Sequence, residues 1–191
     1  MRKARIERRT KETEITISVN LDGEGRGVIH TECKFLDHMI TALATHSLID
    51  IEVVAQGDLK HHLIEDVAIC LGECLNKALG KREGIIRFGY SLVPMDCSLA
   101  IASIDLVRRP YHMLNLKLRT KKIEDMMAED FQHFLESFTK SFEVNLHLFI
   151  EYGSNDHHKA EAAIKALALS LRKAISFDRR RKNIPSSKGI M

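Results

Sequence analysis

The chain has 191 residues, of which 45% are hydrophobic and 29% charged, and its formal net charge is +3. No apolar stretch approaches the ~20 residues that a membrane span needs, and the first residues do not resemble a secretory signal, so we expect a soluble cytoplasmic protein without a membrane partner. The sharpest basic run, residues 179–182, lacks the interleaved aromatic side chains that stack on bases. A nucleic-acid partner is therefore not expected, whereas an anionic small substrate remains open.

The first half of the chain alternates between strand and helix patterns. Its predicted elements are a strand at 14–21, a hairpin turn at 22–25, a second strand at 27–31, a helix opening at 35–38, a strand at 49–57 and a helix that starts at His61. Cys70 and Cys74 lie four residues apart on the last helix. We predict that both are buried core thiols and that they form no disulfide.

The second half follows a similar order. Its predicted elements are a turn at Pro94, a strand at 98–107, a helix that carries His133, a strand at 146–153 and a helix that starts at His157. In both halves an alternating strand leads to a glycine, and a His-His-x-x-Glu motif begins four residues later. A lone histidine lies 23 residues before His61 in one copy and 24 residues before His157 in the other.

This internal repeat predicts an α+β fold built from two duplicated halves, each a small sheet with helices on one face. We expect the halves to cover residues 1–92 and 93–184, to join near residues 90–95, and to be followed by a C-terminal tail at 185–191. Because no proline- or glycine-rich linker separates the halves, we expect one compact unit.

The repeated motif has the spacing of a metal site. On a helix, residues three and four apart share a face, so either histidine of the motif can approach its glutamate. Adjacent histidines diverge by about 100° around the helix axis, so the two members of a pair are expected to serve different ions. Together with the lone histidines there are eight candidate ligands, which divide into two sites of three imidazoles and one carboxylate: His38, His61, His62, Glu65, His133, His157, His158 and Glu161.

A single copy of the motif would more often be a solvated helix start, but its duplication together with matched upstream histidines favours metal binding. Nitrogen and oxygen donors without thiolate suit manganese, iron, cobalt, nickel or zinc, so the spacing leaves the metal open. It also leaves open which ligand belongs to which ion.

The chain resembles the imidazoleglycerol-phosphate dehydratase family over nearly its whole length. The matching motifs, besides the two histidine pairs with Glu65 and Glu161, are RTKET at 9–13, FLDHM at 35–39, GDL at 57–59, RFG at 87–89, VPMD at 93–96, RPY at 109–111, NDHH at 155–158 and PSSKG at 185–189. One departure concerns the loop before His61, which lacks the family's short acidic segment, and Leu63 stands where the family commonly has threonine. We expect the shorter loop to change the entrance to the helix while the geometry of His61, His62 and Glu65 stays intact.

The resemblance implies a lyase of histidine biosynthesis that dehydrates imidazole glycerol phosphate to imidazole acetol phosphate. It also implies a fold like that of ribosomal protein S5 domain 2, with a four-stranded sheet and two helices in each half. Two manganese ions per active site are implied, as is a 24-subunit shell with active sites at subunit interfaces. The carbon that loses the hydrogen has no adjacent carbonyl, so we expect the substrate imidazole, held as an imidazolate by two ions, to drive out the hydroxyl.

The resemblance also implies roles for individual residues. Glu12 is the first candidate for acid–base work, with Glu65 and Glu161 as metal ligands that could also move protons, and His46 is placed near the substrate hydroxyls. A second set is implied to hold the phosphate: Arg87, Arg109, Lys165, Ser186 and Lys188. Two other hypotheses for the function stay open, namely a noncatalytic metal-binding protein and a binuclear metal hydrolase.

Overall fold

A computed structural model of the chain describes residues 2–190 as two halves with the same order of sheet strands and helices. The first half contains β1 (Lys3–Arg9), β2 (Thr13–Asn20), β3 (Gly27–Thr31), α1 (Lys34–Ser47), β4 (Asp50–Gly57) and α2 (Lys60–Leu79). The second half contains β5 (Phe88–Met95), β6 (Ser98–Asp105), β7 (Tyr111–Asn115), the short hairpin strands β8 (Lys122–Ile123) and β9 (Met126–Met127), α3 (Ala128–Phe142), β10 (Asn145–Tyr152) and α4 (Asp156–Ile175).

The two four-stranded sheets have the same topology. Their strand orders are β1-β2-β4-β3 and β5-β6-β10-β7. In each sheet three strands pair antiparallel, and the fourth, β3 or β7, lies parallel to its neighbour. The duplicated α+β fold predicted from the repeated motifs is thus confirmed.

Four layers form the molecule, with the helices between the sheets. Side chains along β2 and β6 alternate between buried and exposed, so each sheet has one apolar face and one solvent face. Helices α1 and α2 cover the inner face of the first sheet, and α3 and α4 cover that of the second. Helix α2 then packs on α3 and α1 on α4, and a single apolar core runs through both halves. One compact unit results, as expected.

The predicted hairpin between residues 14 and 31 is wrong in its pairing. Strand β3 does not pair with β2, because β4 lies between them and pairs with both. The loop that makes this crossover is held by Asp50, whose Oδ1 accepts the backbone N–H groups of Glu24 at 2.9 Å and Arg26 at 3.0 Å. Strand β1 was also not predicted, since its seven residues carry only two apolar side chains, Ala4 and Ile6.

The junction between the halves also differs from the expectation. Residues 90–95 lie within β5, so a division after residue 92 would cut the first strand of the second sheet. The chain passes between the sheets at residues 80–87 instead. Pro94 is not a turn residue but part of β5, an edge strand, where a missing backbone N–H is tolerated. The turn follows at Asp96, whose φ of 43° is left-handed.

Cys70 and Cys74 are fully buried on α2 and carry free thiols, as predicted. Burial raises the pKa of Cys70 to about 12 and that of Cys74 to about 11. Both are therefore uncharged core residues at neutral pH.

Close contact between α2 and α3 requires glycine at position 72. A Cβ there would lie 2.7 Å from the carbonyl oxygen of Phe138 and 2.8 Å from the amide nitrogen of Phe142. On an exposed helix, alanine is more stable than glycine by roughly 1 kcal/mol. For Gly72→Ala we expect the opposite sign, a loss of about 1–3 kcal/mol, because the two backbones must move apart.

Urea denaturation of the metal-free protein measures this change. The exposed neighbour Glu73 provides a matched control, since Glu73→Ala should alter the free energy of unfolding by less than about 0.5 kcal/mol. A Gly72→Ala protein as stable as the original would contradict the tight α2–α3 contact.

Candidate metal centres

Six of the eight predicted ligands come together as two clusters of equal composition. We call them the α1/α4 cluster (His38, His157 and Glu161) and the α2/α3 cluster (His133, His61 and Glu65). Within each, the three ligand atoms lie within 4.8 Å of one another.

The distances inside the clusters are similar. Glu161 Oε2 is 3.4 Å from the Nε2 atoms of both His38 and His157. Glu65 Oε1 is 3.1 Å from Nε2 of His133, and the rings of His61 and His133 stack with their centroids 5.3 Å apart. Two imidazoles and a carboxylate converging in this way form a donor set that fits a divalent ion.

Each cluster takes ligands from both halves of the chain. Because α1 packs on α4, the lone histidine of the first half meets the motif of the second half. The α2–α3 contact likewise brings the lone histidine of the second half to the motif of the first. Helix packing therefore places the lone histidine of each half beside the motif of the other half, which spacing alone left open.

Both motifs begin four residues after a glycine, and close packing around the end of each strand explains the glycine. A Cβ at Gly153 would lie 2.3 Å from Ser98 Oγ, and one at Gly57 would lie 3.2 Å from Cβ of Leu63, so the strand must pass close to its surroundings at this point. Asn155 then caps α4, accepting the backbone N–H groups of His157 at 2.8 Å and His158 at 3.3 Å.

Carboxylates behind the ligands fix the direction of two imidazole rings. Nδ1 of His61 lies 2.7 Å from Asp130 Oδ1, and Nδ1 of His157 lies 3.1 Å from Glu124 Oε1. A carboxylate at Nδ1 selects the tautomer whose Nε2 lone pair is free for a metal ion. Sequence reasoning missed both carboxylates. Of the two, only Asp130 could have been suspected, because it lies three residues before the predicted ligand His133 on α3.

His62 and His158 belong to neither cluster of their own chain. Nδ1 of His62 is 2.9 Å from Asp58 Oδ1 and 3.9 Å from Glu12 Oε2. The ring of each is turned from that of its neighbour in the pair, by 60° for His61 and His62 and by 88° for His157 and His158. The two predicted sites of three imidazoles therefore do not form within one chain.

The surroundings of His158 differ from those of the other three paired histidines. Its Nδ1 lies 3.5 Å from the Cys97 thiol, and its Nε2 lies 3.4 Å from Asp96 Oδ2. Contacts with Ser154, Ser98 and His158 lower the pKa of Cys97 to about 5.

Lys165 and His46 adjoin the α1/α4 cluster. Lys165 Nζ lies 2.7 Å from Glu161 Oε1. Burial alone would raise the pKa of Glu161, but hydrogen bonds from Lys165 and His38 outweigh it, and the pKa is lowered. Burial and the charge of Lys165 lower the pKa of His46. The carboxylate of Glu161, whose pKa is lowered, is therefore ionised and able to bind a cation.

The remaining predicted phosphate ligands lie elsewhere on the chain. Arg87 binds both carboxylate oxygens of Asp105, at 2.6 and 2.9 Å, and donates to the carbonyl of Pro185 at 2.7 Å, so it anchors the tail that carries Ser186 and Lys188. The backbone N–H of Arg87 bonds Ala174 O near the end of α4. Glu161 is 13 residues earlier on that helix, which corresponds to about 20 Å. Arg109 is exposed.

No helix among residues 2–190 is both long and apolar enough to cross a membrane.

Comparison with known proteins gives one consistent answer. The family profile "Imidazoleglycerol-phosphate dehydratase" matches residues 31–171. An imidazoleglycerol-phosphate dehydratase of Dehalococcoides mccartyi is 49% identical over the whole chain and 97% of its own length, and one of Methanocella arvoryzae is 43% identical over the full length of both.

Solved structures agree with the sequence matches. The structure of IGPD from Pyrococcus furiosus in complex with (S)-C348 has a TM-score of 0.85 at 33% identity, covering 97% of this chain and all of that one. The enzyme of Staphylococcus aureus has the same TM-score at 29% identity, covering 92% of this chain and 99% of that one. The chain is therefore an enzyme of the hydro-lyase class and belongs to the imidazoleglycerol-phosphate dehydratase family.

Proposed function

We propose that this protein removes water from imidazole glycerol phosphate to give imidazole acetol phosphate, a step of histidine biosynthesis, with a divalent ion in each cluster. The pair of equivalent His-His-Glu clusters carries this proposal, because each offers two imidazoles and a carboxylate that would hold a divalent ion. A family match over 31–171 and relatives of the same name support it.

The active site forms between two subunits. His62 and His158 belong to neither cluster of their own chain, so we assign each to an ion that a cluster of a neighbouring subunit binds. In our proposal the α1/α4 cluster of one subunit faces the α2/α3 cluster of another. His62 of the second subunit completes the first cluster, and His158 of the first completes the second, which gives each ion three imidazoles and one carboxylate. An assembly of 24 subunits, as the family resemblance implies, repeats this contact throughout the shell.

Manganese is the proposed ion at both positions. Imidazole and carboxylate donors without thiolate suit it, and four protein ligands leave two positions of an octahedral ion for substrate. When bound at the two clusters, manganese would supply Lewis-acid charge that stabilises negative charge developing on the substrate.

Acid–base work falls to carboxylates near the histidine pairs. The loop between β1 and β2 holds Glu12 in place through Thr10, whose Oγ1 accepts the backbone N–H of Glu12 at 3.1 Å. The Glu12 side chain is 57% exposed, and its Oε2 atom lies 3.9 Å from Nδ1 of His62. Glu12 therefore lies beside a proposed metal ligand and remains accessible to substrate. We assign proton transfer at carbon to Glu12, with Glu65 and Glu161 as ligands able to assist, and contact with the substrate hydroxyls to His46.

The phosphate is held by cations from more than one subunit. Lys165 stands at the α1/α4 cluster. The second group consists of Arg87, which lies near the end of α4 about 20 Å from Glu161, of Ser186 and Lys188 in the tail that Arg87 binds, and of the exposed Arg109. A neighbouring subunit supplies the second group, and the tail at 185–190 is then ordered against the phosphate. We assign the enzyme to the cytoplasm, in keeping with its free cysteines, and treat the two halves and the tail as one catalytic unit.

Turnover of metal-stripped protein before and after addition of manganese tests the reaction. Ketone product should appear only with the metal. His38→Ala and His133→Ala should each reduce turnover by more than the roughly 10–100-fold expected for loss of an outer-shell partner. His30→Ala, on the exposed face of β3, is the matched control and should retain full activity. Metal uptake without ketone would favour a noncatalytic metal-binding protein, and release of inorganic phosphate a binuclear hydrolase.

Mixing of two inactive variants tests the shared site. His38→Ala damages the α1/α4 cluster, and His62→Ala removes the ligand supplied by the neighbour. Dissociated, mixed in equal amounts and reassembled, the two proteins should regain activity, because about a quarter of randomly formed sites combine the intact part of each subunit. Either variant reassembled alone should stay inactive. Absence of recovery in mixed shells of correct size would mean that each chain builds its own site.

Lys188→Ala tests the role of the tail. Loss of one charge-assisted hydrogen bond to phosphate should weaken substrate binding by roughly tenfold, raising KM while metal content stays unchanged. Lys182→Ala removes a charge from the same exposed segment and should leave KM unaltered. Equal effects of the two substitutions would indicate general charge attraction instead of a specific contact.

A further inference from the structure

The connection between β7 and α3 is the one clear departure from the duplication among the described residues. In the first half only residues 32–33 separate β3 from α1, whereas in the second half residues 116–127 separate β7 from α3 and form the β8–β9 hairpin. The hairpin turn consists of Glu124 and Asp125, and Glu124 has a positive φ of 53°. The hairpin has no counterpart in the first half, so the duplication does not repeat its contacts.

Asp125 joins the starts of two ligand-bearing helices. Its carboxylate accepts the backbone N–H groups of Lys34 and Phe35, both at 2.9 Å, at the start of α1. Cys33 precedes them at the N-cap position and makes no side-chain cap, so a residue 90 positions away provides it. Lys60, the first residue of α2, donates from Nζ to Asp125 Oδ2 at 3.2 Å and to its backbone oxygen at 3.0 Å.

The same turn reaches a third ligand-bearing helix. Glu124 Oε1 contacts Nδ1 of His157 on α4 at 3.1 Å, so consecutive residues touch α1, α2 and α4. His38 lies one turn after the capped start of α1, and His61 directly follows Lys60. Small movements of Asp125 would therefore shift a ligand in each cluster.

Charge favours this arrangement. Burial raises the pKa of Asp125, but the N–H groups of Phe35 and Lys34 and the ammonium of Lys60 outweigh that effect and lower the pKa to about 2. An ionised carboxylate at a helix start also interacts favourably with the helix dipole.

We propose that Asp125 is a positioning residue for both metal centres and that Glu124 positions the α1/α4 centre alone. This inference rests on the metal-dependent function proposed above and deepens it. Neither residue binds an ion. Asp125 fixes the spacing of the starts of α1 and α2, and through them of His38 and His61, while Glu124 fixes the ring of His157.

The effects of Asp125 and Glu124 can be separated by titrating the assembled protein with manganese. Binding is measured as the loss of the electron paramagnetic resonance signal of free Mn²⁺. For Asp125→Ala we expect the Kd of both classes of site to rise about tenfold or more, the size typical of outer-shell losses. Asp125→Asn keeps the acceptor for the helix N–H groups but lacks the charge that binds Lys60, so it should recover part of the affinity. For Glu124→Gln the Kd of one class should rise and that of the other should stay unchanged.

A control variant and a separate measurement of stability distinguish the possible outcomes. Lys122→Ala, an exposed change in the same hairpin, should alter neither Kd. Urea denaturation of each metal-free variant reports stability separately, so lower stability of Asp125→Ala with unchanged manganese affinity would overturn the proposal and leave a purely structural cap. A loss confined to one centre would overturn the role of Asp125 at both. Failure of the unsubstituted protein to bind manganese would refute the metal-dependent function itself, which is a different result.

Discussion

Packing of helices across the two halves is the constraint on which the metal centres depend. Neither half contains a complete cluster, because a lone histidine and its motif within one half lie on helices that do not pair. The α2–α3 contact is close enough to require Gly72, and it is that contact which brings His133 within 3.1 Å of Glu65. Stability of the core and geometry of the ligands are thus two consequences of one interface. A half separated from the other would lose both.

Carboxylates outside the clusters contact the Nδ1 atoms of two imidazole rings and orient them. Asp130 holds His61 and Glu124 holds His157, and both are supplied by the second half. The two halves therefore share the topology of their sheets, but the carboxylates that contact the imidazole rings are not related by the duplication. Glu124, which contacts His157 of the α1/α4 cluster, lies in the inserted hairpin, whereas Asp130, which contacts His61 of the α2/α3 cluster, lies on α3. Duplicated sites can differ in metal affinity for this reason even when their ligands are identical.

Much of the fold could be predicted from the sequence because repeats and periodicity are local. The starts of α2 and α4, the strands before them and the helices carrying His38 and His133 all follow from patterns within about twenty residues. The place of β3 beside β4 could not be predicted, since a hairpin turn at 22–25 and a crossover loop look alike until Asp50 is known to bind the loop. The contacts of Asp125 with α1 span 90 positions, and no local signal marks them.

The paired histidines carry our proposal that the active site forms between two subunits. A helix separates adjacent side chains by about 100°, so a His-His pair at a helix start cannot direct both rings to one ion. In each pair the first ring joins a cluster and the second ring lies outside it. In the proposed arrangement an ion would take ligands from two subunits and would bind only the assembled state, so metal binding and assembly would stabilise each other by mass action. The proposed metal-binding motif would thereby also favour the oligomer.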